Sequence, residues 1–480
     1  MTKSSMFHKN TLDNATSPYL LQHADNPVHW AEWSEKTLEL AQQEGKPLLV
    51  SIGYAACHWC HVMAHESFEN KEIADIMNKH FVNIKIDREE RPDLDHLYQT
   101  SLAMMGQQGG WPLTMFCTPD GKPFWGGTYF PPRQMMGRPA FPDVLESVAQ
   151  TYHDQPESVD QNVKALQDAL EDFSKPKNGN ADFITEQLLD DIGDQILTYM
   201  DQKYGGLKGA PKFPNPTLLG FLWRNYTRRG EIPFKHSVIQ SLKHMGNGGI
   251  YDHLGGGFAR YSVDERWHVP HFEKMLYDNA QLMSLYARAF SWTGDTSYQE
   301  IVRETAQFLE REMRDSIVPA FYSSIDAESE HEEGAYYVWT WEELGNNFST
   351  EELNWLKDYY GFSPEGNWEE GKNIVWQGDP AKKIAANTSL SAIQMADTLE
   401  SLRQQLFALR AQRERPKTDD KILTSWNALT IQGYVDAYRA TRDEAYLNQA
   451  DETAHFLRQS MWDTGDGRLF RSFKNGEARI

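Results

Sequence analysis

Apolar residues recur at helical spacing from Pro27-Val28-His29-Trp30 to Leu38-Glu39-Leu40-Ala41, and the pattern stops at Gly45, so residues 27–44 predict a helix. Pro47-Leu48-Leu49-Val50-Ser51-Ile52 follows as a strand. A second helix is predicted from Cys57-His58-Trp59-Cys60 to the neighbourhood of Asn78, and Phe81-Val82-Asn83-Ile84-Lys85-Ile86-Asp87 reads as the next strand. Trp111 to Cys117 and Lys122 to Tyr129 form a predicted hairpin around Thr118-Pro119-Asp120-Gly121, where Asp-Gly supplies the turn. Strand, CxxC, helix, strand, X-Pro and hairpin is the element order of an α/β thioredoxin-like fold.

The polar stretch Ser174-Lys175-Pro176-Lys177-Asn178-Gly179-Asn180 interrupts the pattern. It divides the chain into a thioredoxin-like domain with flanking helices over 1–173, a linker over 174–184 and an all-α domain over 185–480. The last region shows about eight long helical segments by periodicity, among them 271–293, 296–314, 389–413, 424–441 and 444–462. Two helix pairs are copies at a gapless offset of 148 residues: Asn279, Tyr286, Tyr298, Phe308 and Ser324 match Asn427, Tyr434, Tyr446, Phe456 and Ser472. Repeated helix pairs must stack to bury their apolar faces, as an open solenoid or a closed toroid. Long connections rich in Gly, Trp and acids, 247–270 and 320–345, favour an (α/α)6 toroid with functional loops at one mouth. Six pairs need twelve helices, and the chain stops at Ile480 just after a strand-like piece, so the toroid is expected to be incomplete and the chain truncated.

Composition narrows the function classes. At 480 residues the chain exceeds a single core, since cores stop growing near roughly 250–300 residues. A formal charge of −22 lacks the positive footprint that nucleic acids or anionic membranes require. Met1 to His8 carries no apolar signal run, and no later segment is apolar long enough to span a bilayer, so a cytoplasmic protein is expected. Three cysteines, Cys57, Cys60 and Cys117, are too few for a secreted disulfide framework, and Cys117, mid-strand with apolar neighbours, reads as core.

The paired cysteines admit three chemistries. At a helix N-terminus the macrodipole and free amides favour a Cys57 thiolate as the attacking sulfur. Cys60, one turn on, then resolves the mixed disulfide, and a positive His58 makes the pair more oxidising. Trp59 flanks the sulfurs, and Trp111-Pro112 offers a cis-proline beside them. Cys57-His58-Trp59-Cys60-His61 is also a haem-attachment string, but a strand before it and a helix after it leave little room for a haem crevice. Zinc held by Cys57, Cys60, His61 or His65 lacks a second cysteine pair to close the site. No metal and no cofactor is expected.

Several longer strings resemble one family. Ser51-Ile52-Gly53-Tyr54, Cys57 through Met63, Glu66-Ser67-Phe68, Asp87 through Asp93 and Gly109-Gly110-Trp111-Pro112-Leu113 look like the signature of the spermatogenesis-associated protein 20 family of thioredoxin-domain proteins. Gly248 through Phe258, Val269 through Ala280 and Asp419 through Asn427 resemble it too. The resemblance implies a thioredoxin-like domain joined to an (α/α)6 toroid related to N-acylglucosamine 2-epimerases and some glycosidases, with redox regulation as the suggested activity. One departure from ordinary thioredoxins stands out: six residues before the first cysteine they carry a buried acid that moves protons, and here that place is Ser51.

A second group of candidate residues lies in the helical half. His253, Asp264, His271, Glu273 and Asp278 crowd into one stretch, Asp326 and Asp420 follow on later loops, and Trp426 stands at the start of the helix predicted over 424–441. Carboxylates, histidines and tryptophans together suit sugar chemistry, with acid/base groups and flat apolar faces. His271 and Glu273 could equally cap the helix predicted to start there, and Glu89-Glu90 and Glu330 to Glu333 read as solvated loops. The leading expectation is thiol-disulfide exchange with protein thiols or disulfides at Cys57 and Cys60, the toroid supplying a binding cavity. A carbohydrate-active enzyme that takes a sugar in that cavity and an interaction platform without chemistry are the alternatives.

Overall fold

Six consecutive buried residues, Leu48–Gly53, form the central strand β2 of a five-stranded sheet. The structure is a computed structural model that describes residues 9–135, 137–175, 184–330, 332–377 and 391–480, and the chain divides into two compact units near residue 178. In the first, β1 (Trp30–Glu32) and β3 (Val82–Asp87) run parallel to β2, while β4 (Leu113–Cys117) and β5 (Pro123–Gly127) form an antiparallel hairpin on its other side. The order β1-β3-β2-β4-β5, with helices α1 (Glu35–Glu44), α2 (His58–Met63), α3 (Lys71–His80), α4 (Pro92–Met104), α5 (Phe141–Asp154) and α6 (Pro156–Ser174), is thioredoxin-like.

Two predicted helices are shorter than their patterns. Residues 27–34 are not helical: Val28 and Trp30 are fully buried on either side of the partly exposed His29, a two-residue alternation, and Trp30–Glu32 pairs with β3 as β1. Helix α1 starts only after Ser34, whose hydroxyl caps Thr37 N–H, and ends at Gly45 with φ +66°. The helix predicted from the cysteines to Asn78 breaks into α2, a π turn over Ala64–Phe68 and α3, because Asn70 accepts from Glu72 and Ile73 N–H as a new N-cap. Cys117 is fully buried among Val50, Ile84, Tyr98 and Met115, and burial pushes its thiol up to about 12. Of the predicted linker, Ser174 ends α6 and Lys175 follows it, while 176–183 lie outside the described residues.

The second unit is an all-α assembly of helix pairs. Among the described residues its helices are α7 (Glu186–Tyr199), α8 (Pro216–Arg229), α9 (Ile232–Asn247), α10 (Leu276–Thr293), α11 (Thr296–Phe308), α12 (Trp341–Asn347), α13 (Thr350–Tyr360), α14 (Ala392–Arg410), α15 (Thr424–Thr441) and α16 (Glu444–Ser460). Helices α10 and α15 pack along each other, and each also packs on its sequence partner, α11 or α16, the pairing of an (α/α) toroid. Helix α10 begins five residues later than predicted, because Pro270–His271 pairs with Tyr261–Ser262 and Lys274–Met275 with Ser324–Ile325 as short strands. His271 and Glu273 are therefore strand-region residues and not helix caps.

The repeat is carried by identical polar contacts. Asn279 accepts from Phe258 N–H and donates to the Phe258 and Met275 carbonyls; Asn427 does the same with Phe321 and Leu423. Beside each, a tyrosine faces that phenylalanine, Tyr286 on Phe258 and Tyr434 on Phe321. The copy number is larger than the two seen in sequence, since the bridges Met200↔Leu207, Tyr251↔Phe258, Arg314↔Phe321 and Trp462↔Leu469 close four loops of equal length. In every loop the aspartate after the first bridging residue, Asp201, Asp252, Asp315 or Asp463, accepts the amide two residues on. Only the spacing of Asp201, Asp252 and Asp463 from Gly205, Gly256 and Gly467 hints at this in the sequence.

Asn427→Ala strands a buried N–H and two buried carbonyls, so it is expected to lower the stability of the helical unit by about 2 kcal/mol or more. The exposed Asn347→Ala is expected to stay within about 0.5 kcal/mol. Denaturant unfolding of both variants checks this, and equal losses would show that the repeated asparagine is not a structural anchor.

Candidate functional site

Strand β2 ends at Gly53, and Tyr54-Ala55-Ala56 carry the buried chain to Cys57, the N-cap of α2. Cys57 Sγ accepts from Cys60 N–H at 3.3 Å, and the two cysteines are joined by a disulfide. The first sulfur therefore sits at a helix N-terminus, as the motif predicts. Cys57 and Cys60 are 3% and 2% exposed, so position on the helix rather than exposure distinguishes them.

The flanking candidates surround this turn from three segments. His58 is half-buried with its ring 5.8 Å from that of Trp59, which is 51% exposed and lies 5.1 Å from the Tyr129 ring. Tyr129 donates to Glu66 Oε2 at 2.5 Å, tying the hairpin to the π turn. The Trp111–Pro112 bond is cis, and the pairing of Ile52 with Leu113 sets Pro112 level with the end of β2. Trp111 donates to Asp95 Oδ1 at 2.8 Å and lies under the Arg88 guanidinium at 4.0 Å. Burial pushes the Asp95 carboxyl up despite that guanidinium.

Beneath the cysteines lies a group that sequence reasoning missed. Ser51 stands opposite Lys85 in the β2–β3 register, and Lys85 Nζ donates to Ser51 Oγ at 3.0 Å. The ammonium is fully enclosed by Phe68, Trp30 and Tyr19, with ring centroids 4.3, 4.9 and 5.2 Å away. Burial drives its pKa well below the usual lysine value. A lysine inside the otherwise apolar alternation of Val82, Ile84 and Ile86 was the available signal, but only register names Ser51 as its partner. Glu89 and Glu90 correct a second expectation: they are 2% and 8% exposed rather than solvated, because Arg88 N–H bonds Gly53 O and Arg91 N–H bonds Asp87 O, folding the turn onto the sheet.

His65, one of the residues weighed as a zinc ligand, pairs with Glu69 at 2.9 Å.

The candidates in the helical unit are brought together only in part. His253 Nε2 bonds Gly248 O at 2.8 Å, and burial pulls its pKa down to about 4, so it is a neutral residue of its own loop. Asp264 takes the Arg266, His268 and Val269 amides of its turn, which hold it below the usual range against the opposing effect of burial. His271 and Glu273 do meet. His271 Nδ1 lies 2.6 Å from Glu333 Oε1 and its Nε2 3.6 Å from Glu273 Oε1, with Arg260 bonded to the same Glu273 oxygen at 2.9 Å and the Tyr261 ring stacked at 4.8 Å. Glu333 is thereby taken out of the loop expected to be solvated, while Glu330 and Glu332 stay exposed. Asp278 is buried in the first turn of α10, and its neighbour Tyr277 packs on Trp426 at 4.7 Å. Asp326 accepts from Glu328 N–H, and Asp420 pairs with Lys474.

A buried ionic group that was not anticipated lies nearby. Asp252 receives two hydrogen bonds from Arg410, at 2.8 and 3.0 Å, and one from Lys274 at 2.7 Å, beside a cavity of about 30 Å³ lined by Tyr337 and Phe272. Burial pulls Lys274 down to about 8 despite Asp252. Burial alone would raise Asp252, yet Arg410 and Lys274 hold it far below the carboxylate range.

Residues 9–171 match the thioredoxin DsbH-like family described as a protein of unknown function, DUF255. Human spermatogenesis-associated protein 20 is 37% identical over 97% of this chain and 63% of its own length, and the rat protein of that name is 36% identical over 96% and 62%. An uncharacterized Caenorhabditis elegans protein is 35% identical over 96% of this chain and 66% of its own. The chain thus spans less than two thirds of these relatives. Among solved structures, a family 76 glycoside hydrolase from a bovine Bacteroides thetaiotaomicron strain aligns with TM-score 0.36 and 11% identity over 60% of this chain and 46% of its own. Cellobiose 2-epimerase from Spirochaeta thermophila aligns with TM-score 0.25 and 15% identity over 62% and 91%.

The His271 contacts carry a pH dependence. Burial opposes its protonation, but the Glu333 hydrogen bond and the Glu273 charge outweigh burial and raise its pKa above 6.5. A raised folded value means the stabilisation is fully present below the unfolded pKa and is lost as pH rises through the folded one. The stability gap between wild type and His271→Gln is therefore expected to be widest below pH 6.5 and to narrow above it, measured by denaturant unfolding across that range. A gap independent of pH would mean that folding leaves the His271 pKa where it stands in the unfolded chain.

Proposed function

We propose that this chain, 37% identical to human spermatogenesis-associated protein 20 over 97% of its length, exchanges thiols and disulfides with protein partners in the cytoplasm through its Cys57–Cys60 pair. The observation that carries the reading is the disulfide at the head of α2, with Cys57 as N-cap and its Sγ accepting the Cys60 amide. A partner thiolate attacks Cys57 Sγ, the Cys57–Cys60 bond breaks, and Cys60 leaves as a thiolate that takes up a proton. A second partner thiolate then attacks the mixed disulfide at the partner's sulfur and releases an oxidised partner and the reduced pair. In reverse, Cys57 attacks a partner disulfide and Cys60 resolves it. No helix among the described residues is long and apolar enough to cross a membrane.

A second reading assigns a carbohydrate ligand to the helical unit. It is favoured by the His271 group, where an imidazole sits between two carboxylates, and Trp426, whose ring meets that of Tyr277 edge-on, is the aromatic candidate for holding a sugar ring. Calorimetry with a carbohydrate panel tests it: a sugar that binds wild type and Cys57→Ser equally but Trp426→Ala at least several-fold more weakly supports the reading, and no binding across the panel removes it.

For the redox reading, the reduced protein titrated with iodoacetamide at neutral pH is expected to label Cys57 first, roughly tenfold or more ahead of Cys60, with Cys117 unlabelled until unfolding. His58→Ala is expected to shift the pair to more reducing potentials by on the order of tens of mV in graded glutathione buffers, since a positive neighbour stabilises the thiolate of the reduced form. Faster labelling of Cys60 would reverse the assigned roles, and an unchanged potential would remove His58 from the chemistry.

A further inference from the structure

The Cys60 thiolate released when the disulfide opens is an anion in a buried place, and the residue six positions before Cys57 is a serine already engaged by Lys85. A buried charge needs a hydrogen-bond donor, and the side chain at position 51 does not supply one to the sulfur.

The donor is available on another segment. Tyr19 belongs to the short helix Pro18–Leu21 and is 1% exposed. Its segment is tied to the sheet by Ser17, whose hydroxyl donates to Asp87 Oδ2 at 2.6 Å. The ring is held by the edge of His23, 5.1 Å away, and by Lys85 Nζ, 5.2 Å over its centroid. Despite this confinement, Tyr19 Oη is buried with no hydrogen-bond partner among the described residues. A buried hydroxyl left unpaired is costly and calls for an explanation.

Gly53 shows where the hydroxyl points. A Cβ at Gly53 would lie 2.3 Å from Tyr19 Oη and 2.6 Å from Cys60 Sγ, so the two atoms converge on the space that the glycine leaves open. In the disulfide, Cys60 sulfur is a weak acceptor and the hydroxyl stays unpaired. Once the bond breaks, the sulfur becomes a full anion across the same glycine gap from the hydroxyl.

Resting on the thiol-disulfide reading above, we propose that Tyr19 is the hydrogen-bond donor to the Cys60 thiolate, unpaired in the disulfide and engaged when the disulfide opens. It thereby favours the thiolate that resolves a mixed disulfide: Cys60 sulfur attacks the Cys57 sulfur, the partner leaves as a thiolate, and the proton lost by Cys60 goes to solvent. Burial first and the Asp87 charge second push the Tyr19 hydroxyl well above its usual value, so it remains a protonated donor.

The test is a two-step reaction of the reduced full chain with 5,5′-dithiobis(2-nitrobenzoate). Attack by Cys57 releases one thionitrobenzoate and loads the other on Cys57; attack by Cys60 releases the second and closes the disulfide. Tyr19→Phe keeps the ring and deletes only the hydroxyl. It is expected to leave the first release unchanged and to slow the second by roughly tenfold, the size of a lost hydrogen bond to a charged group. The oxidised Tyr19→Phe protein is expected to melt no lower than wild type, because the hydroxyl has no partner to lose in that state. Equal second-step rates in wild type and variant overturn the role of Tyr19 while the redox reading stands. A lowered melting temperature of the oxidised variant also overturns it, by showing that the hydroxyl is bonded in the disulfide state. If wild type itself never releases the second equivalent, the redox reading fails and the inference falls with it.

Discussion

The burial of β2 on both faces governs the first unit. A strand enclosed on each side needs helices above and below, and its end must deliver the chain into a helix start, which is where Cys57 and Cys60 stand. Parallel pairing with β3 puts Lys85 opposite Ser51 inside that enclosure. Desolvating an ammonium is expensive, and the Ser51 hydroxyl and three aromatic faces offset only part of it, so burial shifts the amine toward its neutral form. Gly53, two residues on, then lets a buried tyrosine hydroxyl and a cysteine sulfur approach the same space.

The helical unit meets the same difficulty of polar groups in an interior, and meets it by repetition. Loops that enter the helix layer carry amides and carbonyls that cannot reach water, and Asn279 and Asn427 take up both kinds at once. The aspartates of the four bridged loops accept amides of their own turns. Asp252 goes further, binding Lys274 and, 158 residues along the chain, Arg410 of α14. Buried ion pairs of this kind add little net stability, since desolvation consumes most of the attraction. Their geometry does fix which loop meets which helix.

The two candidate chemistries are assembled differently. The cysteine turn is contiguous, so its character survives in any fold that ends a strand there and starts a helix. The His271 group draws on three separated segments, around Arg260, Glu273 and Glu333, and exists only when the short strand pairs form. A catalytic or binding role for it depends on the tertiary arrangement to a degree that the cysteine role does not.

Local pattern alone determined the strands at 48–53, 82–87 and 113–117, the Asp-Gly hairpin, the CxxC at a helix start and the 148-residue repeat, because each is written in neighbouring residues or in a fixed period. Trp30–Glu32 looked helical from a wide window, and only its pairing with β3 made it a strand. His253, Asp264 and Asp420 carry the residue types of a reactive site, and the structure shows what they bond: Gly248, the 264–269 amides and Lys474. Lys85 beneath Ser51, Tyr19 beside Cys60, and Asp252 between Lys274 and Arg410 were decided by tertiary structure. Which buried groups meet is set by strand register and loop closure, and residues tens to hundreds of positions apart leave no mark on one another's local sequence.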